Sequence, residues 1–292
     1  LLQMVTVTGS RYSENVSESI SSIEFVSRER IERENTPNIE DMVTRINGVQ
    51  VIDGQANIRG GSGYSYGAGS RVMVLLDDIP ILQGDATLAN WNDIPSENIE
   101  QIEVLKGASS ILYGSSAMNG VINLKSGYAK AIPETQVTMQ YEFVDGPKID
   151  SMKWWDSPPS TISGSILHKQ KFGKLDFVGS VFYLDEDSYF KGQYRSYFRS
   201  NLNFKYRIKP NIQAGLNFNF NDGENNSPFY WQDYGKGTYI ADTASYSFSE
   251  YNRFNLDPYL NIVGKNGLNH KIRARYLRVN NQVQMNRANE SN

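Results

Sequence analysis

Tyr194–Ile208 reads YRSYFRSNLNFKYRI, and Asn211–Asn221 follows it as NIQAGLNFNFN. An extended chain turns alternate side chains to opposite faces. In the first stretch Tyr194, Ser196, Phe198, Ser200, Leu202, Phe204, Tyr206 and Ile208 share one face. Arg195, Tyr197, Arg199, Asn201, Asn203, Lys205 and Arg207 share the other. The second stretch repeats the division, with Ile212, Ala214, Leu216, Phe218 and Phe220 against Gln213, Gly215, Asn217, Asn219 and Asn221. One face is greasy and the other hydrophilic, over runs as long as the roughly 9–11 residues that carry a strand across a bilayer. Strands of a soluble sandwich are shorter.

Working outward, the same period of two places strands near 135–144, 160–170, 174–185, 194–208, 211–222, 251–264 and 267–286. Three links between them are tight: Lys171–Lys174, Lys209-Pro210 and Lys265-Asn266. Three are longer: Asp145–Pro159, Glu186–Gln193 and Gly223–Glu250. Tight and long links alternate, as short turns and long outer loops do in a membrane barrel. A barrel wide enough to enclose a folded domain needs about 22 strands, so about seven are an incomplete wall.

Composition narrows the function classes. The chain has 292 residues, no cysteine, two histidines (His168 and His270) and a formal net charge of −3. Disulfides, iron–sulfur ligation and cysteine nucleophiles are excluded, and a zinc site or histidine triad has little to work with. No nucleophile–base pair or metal-ligand cluster stands out, so an enzyme, a resident metal and a cofactor are not expected, and neither is nucleic-acid binding. Apolar runs such as Val72–Leu76 are far shorter than a membrane helix requires. The 18 Tyr, 13 Phe and 4 Trp suit interfacial aromatic girdles. Leu1–Ser10 has neither a basic region nor an apolar one, so an export signal is expected to have been removed.

The first part of the chain differs in kind. Residues 1–133 hold 10 Lys and Arg against 16 Asp and Glu, a net of −6; the rest holds 19 against 16, a net of +3. The expected organisation is an N-terminal tether over 1–21, an α+β domain over 22–131, and antiparallel strands over 132–292. In the α+β domain Ser22–Ser27 reads as a strand and Arg28–Glu34 as one or two helical turns. Thr36 and Pro37 start a helix with Ile39, Met42, Val43 and Ile46 as its apolar stripe, ended by Asn47-Gly48. Val49–Ile52, Ala56–Arg59, Arg71–Asp77 and Ile99–Lys106 read as strands, with long turn-rich links at Gly60–Ser70 and Leu82–Trp91. The glycine-rich Gly60–Gly69 lacks the Gly-Lys-Ser/Thr ending of a phosphate-binding loop.

Four segments of this domain carry a family resemblance. Ala56–Gly60 (ANIRG), Arg71–Pro80 (RVMVLLDDIP), Ile94–Gly107 (IPSENIEQIEVLKG) and Tyr113–Lys125 (YGSSAMNGVINLK) resemble, in order and spacing, the plug domain of TonB-dependent receptors. The resemblance implies a plug followed by strands of a transmembrane β-barrel in the outer membrane of a Gram-negative bacterium. It also implies active import of a scarce nutrient, with the plug as gate. In the family the arginine of the IRG strand and the basic residue of the next strand's end lock plug to barrel; by resemblance these are Arg59 and Lys106. Lysine at 106 lacks the bidentate fork of arginine. Gln3, Met4, Val5, Thr6, Val7 and Thr8 resemble the TonB box, an extended segment that adds as a strand to the sheet edge of the partner protein TonB.

Ligand contacts are expected from outward-facing loops. These carry Tyr64 and Tyr66, Asp85 and Trp91, Trp154 and Trp155, and Tyr230 and Trp231, which suit an amphipathic nutrient such as a metal chelate, a cobamide, a glycan or a peptide. The Trp pair equally fits a girdle. Asp185–Asp187 is read as a solvated acidic run, with no metal assigned. Expected partners are TonB, outer-membrane lipid and the nutrient. The Asn-Gly turn at 119–120 leans towards importers that work with a surface lipoprotein, while Lys106-Gly107 departs from their usual ending. Two rivals share the motifs: a TonB-linked signalling receptor, whose extra domain would precede the box, and a non-transporting surface barrel for adhesion or complex assembly.

Overall fold

The computed structural model describes residues 5–6, 14–15, 22–34, 38–61, 70–81, 88–228, 239–264 and 268–285. The chain divides into two compact units, Leu1–Gly127 and Tyr128–Asn292.

The N-terminal unit begins with β1 (Val5–Thr6) and β2 (Glu14–Asn15), a two-residue antiparallel pair. Next come β3 (Ile23–Ser27), α1 (Arg28–Glu34), α2 (Ile39–Thr44), β4 (Val49–Ile52), β5 (Gln55–Ile58), β6 (Val72–Leu76), β7 (Ile79–Pro80), β8 (Ile99–Lys106), the short α3 (Ser110–Tyr113) and β9 (Gly120–Ser126). Five of the strands form one sheet in the order β3-β8-β9-β6-β7, in which only β6 and β9 run parallel. β4 and β5 form a separate hairpin.

Sequence places the start of α2 at Thr36–Pro37; the structure corrects this. Residues 35–37 lie outside the described residues, and the helix starts at Ile39, where the side-chain oxygen of Asn38 accepts the Glu40 N–H at 3.0 Å. Asparagine is at least as good a cap as threonine, and Asn38 sits where Ile39, Met42 and Val43 all face inward. These three join Ile46, Ile58, Val72, Val74, Ile94, Ile102, Val104, Ile122 and Leu124 in the main core.

The β6–β7 hairpin turns on Asp77 and Asp78, both in the left-handed region (φ +51° and +68°). Glycine or asparagine is the usual occupant of such a turn. Here side chains compensate: Asp77 accepts the Ser126 N–H at 2.9 Å, and Asp78 accepts from Asn123 at 2.9 Å and pairs with Lys125. Burial holds the Asp77 carboxyl above its ordinary pKa, against the opposing pull of the Ser126 amide and Lys125.

The second unit is an antiparallel meander: β10 (Glu134–Phe143), β11 (Ser160–Phe172), β12 (Leu175–Asp187), β13 (Tyr194–Lys209), β14 (Ile212–Pro228), β15 (Tyr246–Val263), β16 (Asn269–Arg273) and β17 (Tyr276–Met285). The stretch read from sequence as one strand, 267–286, is two, and both pair with β15 in one continuous register. The break falls at Ala274 and Arg275, opposite Pro258 and Asp257. Pro258 has no N–H to return to Ala274, whose own N–H it accepts at 3.1 Å, so the ladder loses a bond there. A two-point ion pair from Arg275 to Asp257 (2.7 and 2.6 Å) spans the gap.

The faces are inverted relative to a water-soluble sheet. Lys169, Arg199, Asn201, Asn203, Asn219 and Asn221 are buried, whereas Val137, Met139, Ile162, Ile166, Phe198 and Tyr206 are exposed. Met139 is 86% exposed and Asn221 fully buried. Apolar surface gains about 25 cal/mol per Å² on leaving water, so such an outer face is stable only against another apolar medium. Two glycines on the hydrophilic face admit large neighbours. A side chain at Gly223 would meet the Ser196 carbonyl at 2.7 Å and the Tyr197 Cβ at 2.4 Å; the nearest atoms to one at Gly215 belong to the Tyr259 ring tip, at 2.1 Å.

Gly223→Ala is therefore expected to destabilise the folded strands by about 1–3 kcal/mol. Gly215→Ala should have a smaller effect because the Tyr259 ring can swing aside; denaturant unfolding in detergent micelles compares the two. For Asp77, a folded-state pKa above the unfolded one means that protonation favours the fold. That contribution is full below the ordinary carboxylate range and is lost as pH rises above it, through the raised folded-state pKa. Asp77→Asn keeps the acceptor for Ser126 and tolerates positive φ. It should slow hydrogen exchange at Leu76 and Ile79 at neutral pH and flatten its pH dependence.

Candidate functional site

Two clusters, one in each unit, bring chemistry-bearing side chains together. In the N-terminal unit β8 runs antiparallel to β3 and pairs with β9, which places Lys106 at the same end of the sheet as Ser22 and Gly120. The Lys106 N–H donates to Ser22 O at 2.9 Å. Its ammonium pairs with Glu24 and donates to the Asn47 carbonyl at 2.6 Å. Arg59 follows β5 with φ +54°, a backbone turn that swings its guanidinium onto Ser22 Oγ at 2.9 Å and the Lys106 carbonyl at 3.5 Å. Arg59 and Lys106 thus converge, and the partners the structure gives them are Ser22, Glu24, Asn47 and each other. Lysine suits position 106 because its ammonium, with three donors, serves one carboxylate and one backbone carbonyl on different residues at once, where no bidentate fork is needed.

In the second unit the three long links meet. They span residues 144–159, 188–193 and 229–245, of which 229–238 lie outside the described residues. Trp154 Nε1 donates to Tyr189 O at 2.7 Å, tying the first link to the second. The Lys191 N–H donates to Tyr239 O at 2.8 Å, tying the second to the third, and Tyr246 Oη at the start of β15 donates to Lys191 O. Aromatic rings fill the junction. Tyr189 lies 4.4 Å from Phe190 and 5.3 Å, edge to face, from Tyr239; Trp154 and Trp155 meet edge to face at 5.6 Å. Trp155, Tyr189, Phe190 and Tyr239, with Val144, Pro147 and Asp145, line a cavity of about 470 Å³. A cavity of this size and lining takes one flat or cyclic apolar group and offers its polar edge a carboxylate.

The remaining sequence-derived residues fall elsewhere. Gln3, Met4, Val7, Thr8, Tyr64, Tyr66, Asp85, Tyr230 and Trp231 lie outside the described residues. Val5 and Thr6 form β1. Trp91 is built into the core of the N-terminal unit: it is 4% exposed, and its indole N–H donates to Gly54 O at 2.9 Å. Its position is one of packing. Glu186, within the acidic run 185–187, pairs with Arg195, and among the described residues no group of three carboxylates or imidazoles could hold a metal ion. Sequence reading passed over Tyr189, Phe190 and Tyr239; adjacent aromatics at 189–190, inside a polar link, were the available signal.

Comparison with known proteins bears on both units. The family model for the TonB-dependent receptor plug domain matches residues 15–121. The vitamin B12 transporter BtuB of Vibrio cholerae is 30% identical over 123 residues, 42% of this chain and 20% of that protein. BtuB of Photobacterium profundum is 32% identical over 138 residues, 46% of this chain and 22% of that one. The chain thus spans about a fifth of the length of the curated relatives it matches. The solved structure of the siderophore receptor PirA from Pseudomonas aeruginosa aligns with a TM-score of 0.66 at 17% identity, over 90% of this chain and 41% of that one. The RagAB peptide importer in its open-open state aligns with a TM-score of 0.72 at 17% identity, over 96% and 43%. At these identities the likeness to the solved structures is one of fold.

Proposed function

We propose that this chain, which belongs to the TonB-dependent outer-membrane receptors, takes part in active import of a scarce amphipathic nutrient. The observation that carries the reading is the joining of a plug domain to strands whose greasy face is the exposed one. Strands of that kind have a place in a membrane wall, and a folded α+β domain joined to them is suited to gate it. β1 supplies an extended segment ahead of the plug, suited to strand addition on a periplasmic partner. TonB is that partner in this reading, and its pull on residues 3–8 moves the plug.

Ligand capture falls to the outer links. The aromatic cavity at Trp155, Tyr189, Phe190 and Tyr239 would hold a flat or cyclic moiety of the nutrient by stacking, and Asp145 would orient a donor on its edge. The cavity is too small for a whole cobamide, metal chelate or peptide, so it would grip one moiety of a larger ligand. The vitamin B12 transporter among this chain's relatives, and the siderophore receptor and peptide importer that share its fold, carry names for three such classes, and the stacking chemistry is compatible with each. Arg59 and Lys106 act, in this reading, at the edge of the gate and touch no ligand.

Deleting residues 1–9 should abolish energised uptake while leaving ligand binding at the cell surface intact; undiminished uptake would sink the import reading. The double variant Trp155→Ala and Phe190→Ala removes two stacking faces, each worth roughly 0.5–1.5 kcal/mol. Surface affinity should fall about tenfold or more, with normal amounts of folded protein in the membrane.

A further inference from the structure

The plug is attached unevenly along its chain. α1 contributes no buried residue, and in β3 only Val26 is fully buried. β3 occupies one edge of the five-stranded sheet, and among the described residues its single neighbour there is β8. Residues 22–34 therefore rest mainly on one short ladder, one fully buried side chain and the part-buried Ile23, Phe25 and Ile31.

Charge does the rest of the fastening. Glu24 pairs with Lys106 at the end of β8, and Arg28 with Glu100 at its start (3.3 Å). Glu34 pairs with Arg45 just past α2 (2.6 Å). Arg59 adds its bond to Ser22. The fastenings sit at the beginning, middle and end of the segment, and each reaches a different point of the plug. Were the segment to leave, β8-β9-β6-β7 would remain a paired sheet with most of the core in place.

We propose that residues 22–34 are an electrostatically latched edge of the plug, which detaches as one unit before the rest of the sheet yields. This rests on the import reading only for the source of the pull: tension on residues 3–8 that passes the β1–β2 pair arrives at Ser22, and the Ser22–Glu24–Arg59–Lys106 cluster is the first fastening of the five-stranded sheet that it meets. Lys106 and Arg59 are positioning residues of this latch. Ion pairs screened by salt weaken where apolar burial does not, so the latch differs from the core in its response to ionic strength.

Hydrogen exchange on the full-length receptor in detergent micelles tests the latch without any transport assay. Residues 22–34 should exchange together and faster than β9 and β6, and faster still as salt rises from about 0.05 M to about 1 M, while β9 and β6 do not respond. Lys106→Gln should speed exchange at Glu24 and Val26 about tenfold, the effect of losing one part-buried charged hydrogen bond. The exchanged pair Glu24→Lys with Lys106→Glu should restore much of the protection. Equal protection of 22–34 and β9, or insensitivity to both salt and Lys106→Gln, overturns the proposal. In a chain without cysteine, Ser27→Cys with Gln101→Cys joins facing residues of β3 and β8. The oxidised form should bind ligand but not import it, with import restored by a reductant; undiminished import by the crosslinked form overturns the latch as the gate's first step. Import that survives deletion of residues 1–9 counts against the import reading instead, and the exchange data then judge the latch alone.

Discussion

Every backbone N–H and C=O that enters an apolar medium must find its partner within the protein, because an unpaired group there costs several kcal/mol. The second unit is organised around that demand. Its strands run in one antiparallel meander, each ladder closing the hydrogen bonds of its neighbour from β10 through β15. Where the ladder fails, at Pro258, the Asp257–Arg275 pair spans the break. Side chains then follow from the ladder: period two assigns aliphatic residues to one face and Asn, Arg and Lys to the other. The glycines at 215 and 223 make room on the crowded hydrophilic face for Tyr259, Tyr197 and Tyr251.

The same face carries cations held by aromatic rings as well as by acids. Arg199 lies 4.7 Å from the Phe182 ring centre and Arg253 3.9 Å from that of Tyr251. Phe182 and Arg199 are direct cross-strand partners, as are Arg199 and Asn221, and Asn221 and Arg253. Register alone thus sets a row in which two guanidinium groups are separated by an amide, and like charges avoid facing each other directly. In the N-terminal unit charge has a different use, holding an edge strand and a helix that bury little.

Much of the fold was legible in the sequence. The alternation at 194–221 and the sorting of tight from long links gave the meander, and four ordered motifs gave the plug. Less legible were details set by competition between neighbours. Thr36-Pro37 and Asn38 are both good helix starts, and only the packing of Ile39, Met42 and Val43 decides for Asn38. Asp78 stands where a two-residue hairpin turn usually has glycine or asparagine, and nothing local announces that Asn123 and Lys125, some 45 residues on, hold it there. Trp91 resembles an exposed ring in a long link until Gly54 O is found beneath its N–H.

The sequence by itself determined the period of the strands, the side of each that is greasy, the alternation of the links and the family of the plug. These are properties of neighbours in the chain, fixed by backbone geometry and the solvation of individual side chains. The tertiary structure decided which distant residues meet. It drew Arg59 and Lys106 onto Ser22 and Glu24, because antiparallel pairing of β3 with β8 superimposes the start of one strand on the end of the other. It gathered Trp155, Tyr189 and Tyr239 from three links into one cavity, because adjacent hairpins end at the same height. Such meetings depend on register across dozens of residues, and no local pattern encodes them.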